Sequence, residues 1–245
     1  MIDFNLASET LLEFLSLPIA DSKPVMKLFE SLPGAIAHYD GGKRNFVYVP
    51  GTRKDRVLLV AHADTVWDED ETAKQSVELS CGQIRGQNKS CGIGADDRAG
   101  CAMLWLLRDS GHSLLIPDGE EYGGIGSGHL MESYPELAKE INDHCYAIQL
   151  DRRNATDYKV YNLRVSKDFT KFIEKNTGYS IPDSGSATDI INLCKKICGA
   201  NLSVGYRNEH TSNEHIIVDD WYNTLIKVEK MITPPQRQFL LEKRG

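Results

Sequence analysis

The sequence is short of basic charge: 28 lysines and arginines stand against 35 acids, a formal net charge of -7. That deficit argues against non-specific nucleic-acid binding and against docking on an anionic membrane surface. No apolar run approaches the ~20 residues needed to cross a bilayer. A basic stretch followed by an apolar one is also missing from the start. The opening MIDFNLASETLLEFLSL carries acids throughout and reads as an amphipathic helix, not a signal peptide. A cytoplasmic location is the expectation. The six cysteines (Cys81, Cys91, Cys101, Cys145, Cys194, Cys198) lack zinc-ribbon spacing and are too sparse for a disulfide scaffold. They read as small core residues, with Cys194 and Cys198 on one face if their segment is helical. Repeats, low-complexity tracts and Gly/Ser/Pro linkers are absent as well, so one domain over 1–245 is expected.

What is present is a recurring alternation of strand and helix. Val57–Ala61, Ser113–Ile116 and Cys145–Leu150 are continuous apolar runs suited to strands buried on both faces, and NLSVGYRNEH holds a weaker fourth. Ala99, Ala102, Met103, Leu106 and Leu107 form a helical stripe. Further helices are expected near 126–142, 166–177, 187–197 and 218–231. This pattern predicts an α/β fold with a mostly parallel central sheet flanked by helices on both faces. NFVYVPGTRKDRVLLV reads as two strands of an antiparallel hairpin near the N-terminus.

In open α/β sheets, ligands bind beyond the carboxyl ends of the strands. His62 and Asp64 follow the first run, and Asp118, Glu120 and Glu121 the second. Asp151 ends the third, Glu209 and His210 follow the fourth, and Asp96 and Asp97 open the helix after the first strand. Singly, each is unremarkable; an Asp-Asp pair at a helix start, for instance, usually caps it. Together, carboxylates gathered at one sheet edge need a cation to neutralise them. Histidine and carboxylate donors without thiolates suit zinc, with manganese or cobalt as substitutes.

At these residues the chain resembles the co-catalytic di-zinc exopeptidases, the zinc aminopeptidase and tripeptidase group. The matching segments are HADT, GADDRAG, GEEYGGIGS, QLDRR and NEHTSNEH, in that order, over about residues 45–232. The resemblance implies two zinc ions held by His62, Asp96, Glu121, Asp151 and His210, with Asp96 bridging and Asp97 turned away across a cis peptide. It leaves open whether Glu121 and Asp151 share one side of the site. It also implies that Asp64 orients the His62 ring and that Glu120 is the general base for the attacking water. His210 is favoured over His215 as the last ligand. His38, His112, His129 and His144 read as structural.

The implied activity is removal of N-terminal residues from small peptides. The alternatives are a di-zinc amidohydrolase or deacylase on a non-peptide amide, a metal-binding module without catalysis, and a single-zinc transferase of related fold. Many relatives insert a lid or dimerisation domain after the fourth ligand, and too few residues separate Asp151 from His210 to hold one. Only the catalytic domain is therefore expected, without the lid's substrate-carboxylate contacts, and a homo-oligomer that walls off the open site is compatible with it. PDSGSATDI (Pro182–Ile190) resembles the family's pocket-lining loop and reads equally as a helix cap at Ser186 or Thr188. Arg152 and Arg153 read as a solvated pair or as a clamp for a substrate carboxylate.

Overall fold

The apolar runs serve two cores at once. In Val57–Ala61, Val57, Leu59 and Ala61 join one buried cluster, while Leu58 and Val60 join another. This is the two-residue alternation of a strand covered on both faces. The computed structural model describes residues 1–67, 76–181 and 188–243. Its helices are α1 (Phe4–Leu15), α2 (Lys23–Glu30), α3 (Ala95–Leu106), α4 (Ile125–Ser133), α5 (Pro135–Ile141), α6 (Lys167–Thr177), α7 (Asp189–Leu193) and α8 (Val218–Ile232). Its strands are β1 (Ile36–His38), β2 (Phe46–Val49), β3 (Leu58–Val60), β4 (Val77–Ser80), β5 (Gln83–Gly86), β6 (Ser113–Pro117), β7 (Ala147–Arg152), β8 (Tyr158–Lys159), β9 (Gly199–Ser203), β10 (Tyr206–Arg207) and β11 (His215–Ile217). No helix among the described residues is long and apolar enough to cross a membrane.

The main sheet has seven strands in the order β1-β2-β6-β3-β7-β9-β8. Its centre, β6-β3-β7-β9, is parallel, and β1, β2 and β8 pair antiparallel at the edges. Helices α1, α2, α3, α6 and α8 pack on one face and α4, α5 and α7 on the other. A second, antiparallel sheet, β10-β11-β5-β4, stands apart from it. Its strands are short and β4 is largely exposed, so they carry no apolar alternation for a sequence reading to find.

The expected hairpin over NFVYVPGTRKDRVLLV needs correction. β2 and β3 do run in opposite directions, but β6 lies between them, hydrogen-bonded to both. The N-terminal hairpin is instead β1–β2. The turn residues between two strands do not show that a distant third strand enters the gap. The helix expected over 126–142 breaks into α4 and α5 at Tyr134 (φ −124°, ψ 70°), because the residue before Pro135 is held out of the helical region. The helix expected over 187–197 is shorter, α7 alone. Cys194 is its extended C-cap and Cys198 lies beyond it, so the two do not share a helix face, although both are buried free thiols.

His144 illustrates a buried structural histidine. Its Nδ1 faces the carbonyls of Glu140 and Ile141, and its Nε2 lies 2.7 Å from the Ser113 hydroxyl. Burial, helped by Arg56, lowers its pKa to about 4. The unfolded chain then takes up a proton that the folded chain resists, so this contribution is present above pH ~6.5 and lost as pH falls toward 4, roughly 3 kcal/mol at full extent. Urea midpoints should therefore fall less between pH ~7 and ~4.5 in His144→Gln than in the wild type. Equal falls would contradict this.

Candidate metal centre

Parallel strands deliver their carboxyl ends to one edge, and the candidate residues meet there. His62 and Asp64 follow β3, Asp118 to Glu121 follow β6, and Asp151 lies on β7. Asp96 comes from the start of α3, and His210 from the loop between β10 and β11. His62 Nε2 lies 3.1 Å from Asp96 Oδ1 and 3.4 Å from Asp151 Oδ1. His210 Nε2 lies 3.1 Å from Asp96 Oδ2 and 3.0 Å from Glu121 Oε1. The two oxygens of Asp96 thus face two different histidines, His62 beside Asp151 and His210 beside Glu121. Donor atoms of His62, Asp96 and Glu121 lie within 4.8 Å of one another, as do those of His62, Asp97 and Asp151. The spacing is that of a site that could hold metal.

The neighbouring aspartates divide their work. The peptide between them is cis. Asp97 points away from the His210 side: Oδ2 accepts the His62 N–H (3.1 Å) and Oδ1 the Gly100 N–H (2.9 Å). It therefore performs the capping job expected of such a pair, and leaves Asp96 to the crevice. Gly100 is required for this packing, since a Cβ there would collide with the Leu150 carbonyl and the Asp97 carboxylate.

Asp64 lies behind His62. Its Oδ1 is 3.3 Å from His62 Nδ1, which fixes the ring with Nε2 toward the crevice. The same carboxylate accepts the N–H groups of Glu120 (3.1 Å) and Glu121 (3.3 Å), tying the β3 and β6 ends together. Asp151 is held by Gln149 Nε2 (3.0 Å), Thr188 Oγ1 (2.9 Å) and Asn201 Nδ2 (3.3 Å) on Oδ2, and by the Tyr206 hydroxyl (3.3 Å) on Oδ1. Thr188 occupies the cap position of α7 but makes no capping bond; its hydroxyl goes to Asp151 instead. Ser186, the other expected cap, lies outside the described residues, as does most of PDSGSATDI.

Glu214 is the residue the sequence reading missed. Its buried carboxylate accepts three backbone N–H groups, those of Ile93 (2.8 Å), Gly94 (2.8 Å) and Asp96 (3.0 Å). It thereby joins the chain that carries His210 to the turn that carries Asp96. The signal for it was Gly92, where a Cβ would strike the Glu214 carboxylate. Glu214→Ala orphans three buried donors at ~1–3 kcal/mol each, so a stability loss of about 3 kcal/mol or more is expected in urea unfolding. An unchanged midpoint would show that the carboxylate holds nothing.

The electrostatics follow from crowding. Burial, then Asp151, pushes Glu120 up to about 9. Burial likewise raises Glu121, Asp151 and Asp97, each with a neighbouring carboxylate adding to it. Asp96 and Glu121 raise His210 to about 11. Burial opposes protonation of His62, but Asp151, Asp64 and Asp96 outweigh it and its pKa rises. The site is thus a concentration of negative charge that collects whatever positive charge it can. Among the described residues nothing hydrogen-bonds the Glu120 carboxylate, whereas Glu121 meets His210. Nitrogen and oxygen donors of this kind fit zinc.

The remaining candidates lie elsewhere. His215 sits on β11 with Nδ1 on the Asn213 carbonyl (3.0 Å) and meets none of these side chains. Arg152 is buried and paired with Asp157 at 2.5 Å. Arg153, half-exposed, pairs with Glu209 at 2.6 Å.

No protein-family model matches this sequence, and no curated protein does either. Solved structures do match in fold. Aminopeptidase PepT from Bacillus cereus ATCC 10987 is similar over 95% of this chain and 98% of its own, at 15% identity and a TM-score of 0.68. A Pyrococcus horikoshii TET1 peptidase that can assemble into a tetrahedron or a large octahedral shell is similar over 92% and 99%, at 14% identity and TM-score 0.64. An endoglucanase from Thermotoga maritima is similar over 91% and 98%, at 15% identity and TM-score 0.54. At such identities the likeness is one of fold, and function rests on the site.

Proposed function

We propose that this protein is a metal-dependent exopeptidase that releases N-terminal residues from small peptides. The observation that carries the reading is the two-sided Asp96, with His62, itself beside Asp151, on one oxygen and His210, itself beside Glu121, on the other. On this reading Glu121 lies opposite Asp151. Two zinc ions would be held by these five residues, and when bound they supply Lewis acidity toward a carbonyl and an acidified water. The fit rests on the donor chemistry and on the excess of buried carboxylates, which a divalent cation relieves.

The chain's own residues do the rest. Asp64 keeps His62 in one orientation. The Glu120 carboxylate, which no described residue hydrogen-bonds, accepts the proton of the attacking water and returns it to the departing amine. Its neighbour Glu121 is engaged on the His210 side, which explains why the motif needs two glutamates. The similar fold of peptidases supports the reading, as does the order of the motifs. We further propose that the chain acts as one catalytic domain and that homo-oligomers enclose its crevice, as suggested by the TET1 likeness.

The test is a panel of free and N-acetylated aminoacyl-amides and short peptides, assayed before and after chelation. Release of N-terminal residues from the free forms only, lost with chelator and restored by zinc, is the expected result. Cleavage of acylated amides instead would favour the deacylase reading, and cleavage of neither would overturn both.

A further inference from the structure

Near this crevice stands a lysine that forms no ion pair with any described residue. Lys159, on β8, is only 5% exposed. Its neighbours Arg152 and Arg153 each have a carboxylate, Asp157 and Glu209 respectively. No carboxylate among the described residues lies within ion-pair distance of Lys159. Its ammonium sits 5.8 Å from the centre of the Tyr161 ring. The Tyr161 hydroxyl accepts an N–H from Asn201 at 2.9 Å, and that amide also donates to the Asp151 carboxylate. Lys159 is therefore linked to Asp151 through one ring and one amide.

The sheet register gives the same placement. Lys159 pairs with Asn201, and Asn201 with Gln149. Side chains in register on neighbouring strands share a face, and both Gln149 and Asn201 reach Asp151. Two strand spacings separate Lys159 from Gln149, roughly 10 Å. Extended peptide covers ~3.3–3.6 Å per residue, so a chain of two or three residues spans that gap. Burial, and then Arg152, lower the lysine's pKa, while Asp157, whose carboxylate is already paired with Arg152, opposes them only in part.

We propose that Lys159 is the anchor for the terminal carboxylate of the substrate, which makes free di- and tripeptides the substrate class. This rests on the exopeptidase reading above. It also supplies, from the sheet itself, a contact that a lid domain would otherwise make. Arg152 and Arg153, both already paired, do not fill this role.

The experiment compares Leu-Gly-Gly with its C-terminal amide, using zinc-loaded wild type, Lys159→Met and Lys159→Arg. The wild type should favour the free tripeptide. In Lys159→Met, KM for the tripeptide should rise about 10- to 100-fold, the range of a charge-assisted hydrogen bond, while the amide's kinetics and the tripeptide's kcat stay put. Lys159→Arg should recover most of the loss. The unchanged amide shows that the variant is folded. Equal changes for both substrates would reveal a structural role and overturn the proposal. So would a wild type that cleaves both equally, though the exopeptidase reading would then stand. A wild type that cleaves neither fails that reading itself, and the proposal with it.

Discussion

Glu120→Gln should keep the metal content of the wild type and lose most of its turnover, by about 10²- to 10⁴-fold, the usual contribution of a positioned general base. Two adjacent glutamates have different surroundings. Glu121 meets His210 at 3.0 Å, whereas the Glu120 carboxylate is engaged by no described residue. An amide at position 120 keeps size and polarity but cannot accept the proton. Metal analysis alongside steady-state kinetics checks it. Metal lost in proportion to activity would mean that the roles of Glu120 and Glu121 are exchanged.

Asp96→Ala should have the larger effect, because both halves of the site share that carboxylate. Its two oxygens each lie 3.1 Å from a different histidine. Removal leaves neither half with a full set of donors, so metal content should drop to one per chain or below. Turnover should fall by at least about 10³-fold, since several kcal/mol of charge stabilisation are at stake. Asp97→Asn provides the contrast. Its carboxylate serves the N–H groups of His62 and Gly100, so the cost should fall on stability while metal is retained. If Asp97→Asn lost metal and Asp96→Ala kept it, the division of the pair would be the reverse of the one described.

The strand-end chemistry was legible because the central strands are apolar on both faces, which marks where each one stops. His62, Asp151 and the Glu120–Glu121 pair could be placed at one edge from that alone. The neighbour of β2 was not legible, because β6 is supplied by a distant segment and nothing in the intervening turn encodes it. The small sheet escaped because strands with few buried residues have no periodic signal. Glu214 escaped for another reason. In NEHTSNEH it reads as one acid among polar residues, and its value lies in three backbone N–H groups far away in sequence. Asp96 and Asp97 fell in between. The sequence offered capping or a cation for the pair, and the structure gives Asp97 to the helix and Asp96 to the crevice.

The most direct test of the central claim is the number of metal ions per chain after gentle purification, counted by elemental analysis in wild type and in His210→Ala. Two per chain, falling to about one when the half with Glu121 loses its histidine, is the expected result. One or none in the wild type would contradict the two-sided site and leave the carboxylates around Asp96 without the cations this account assigns them.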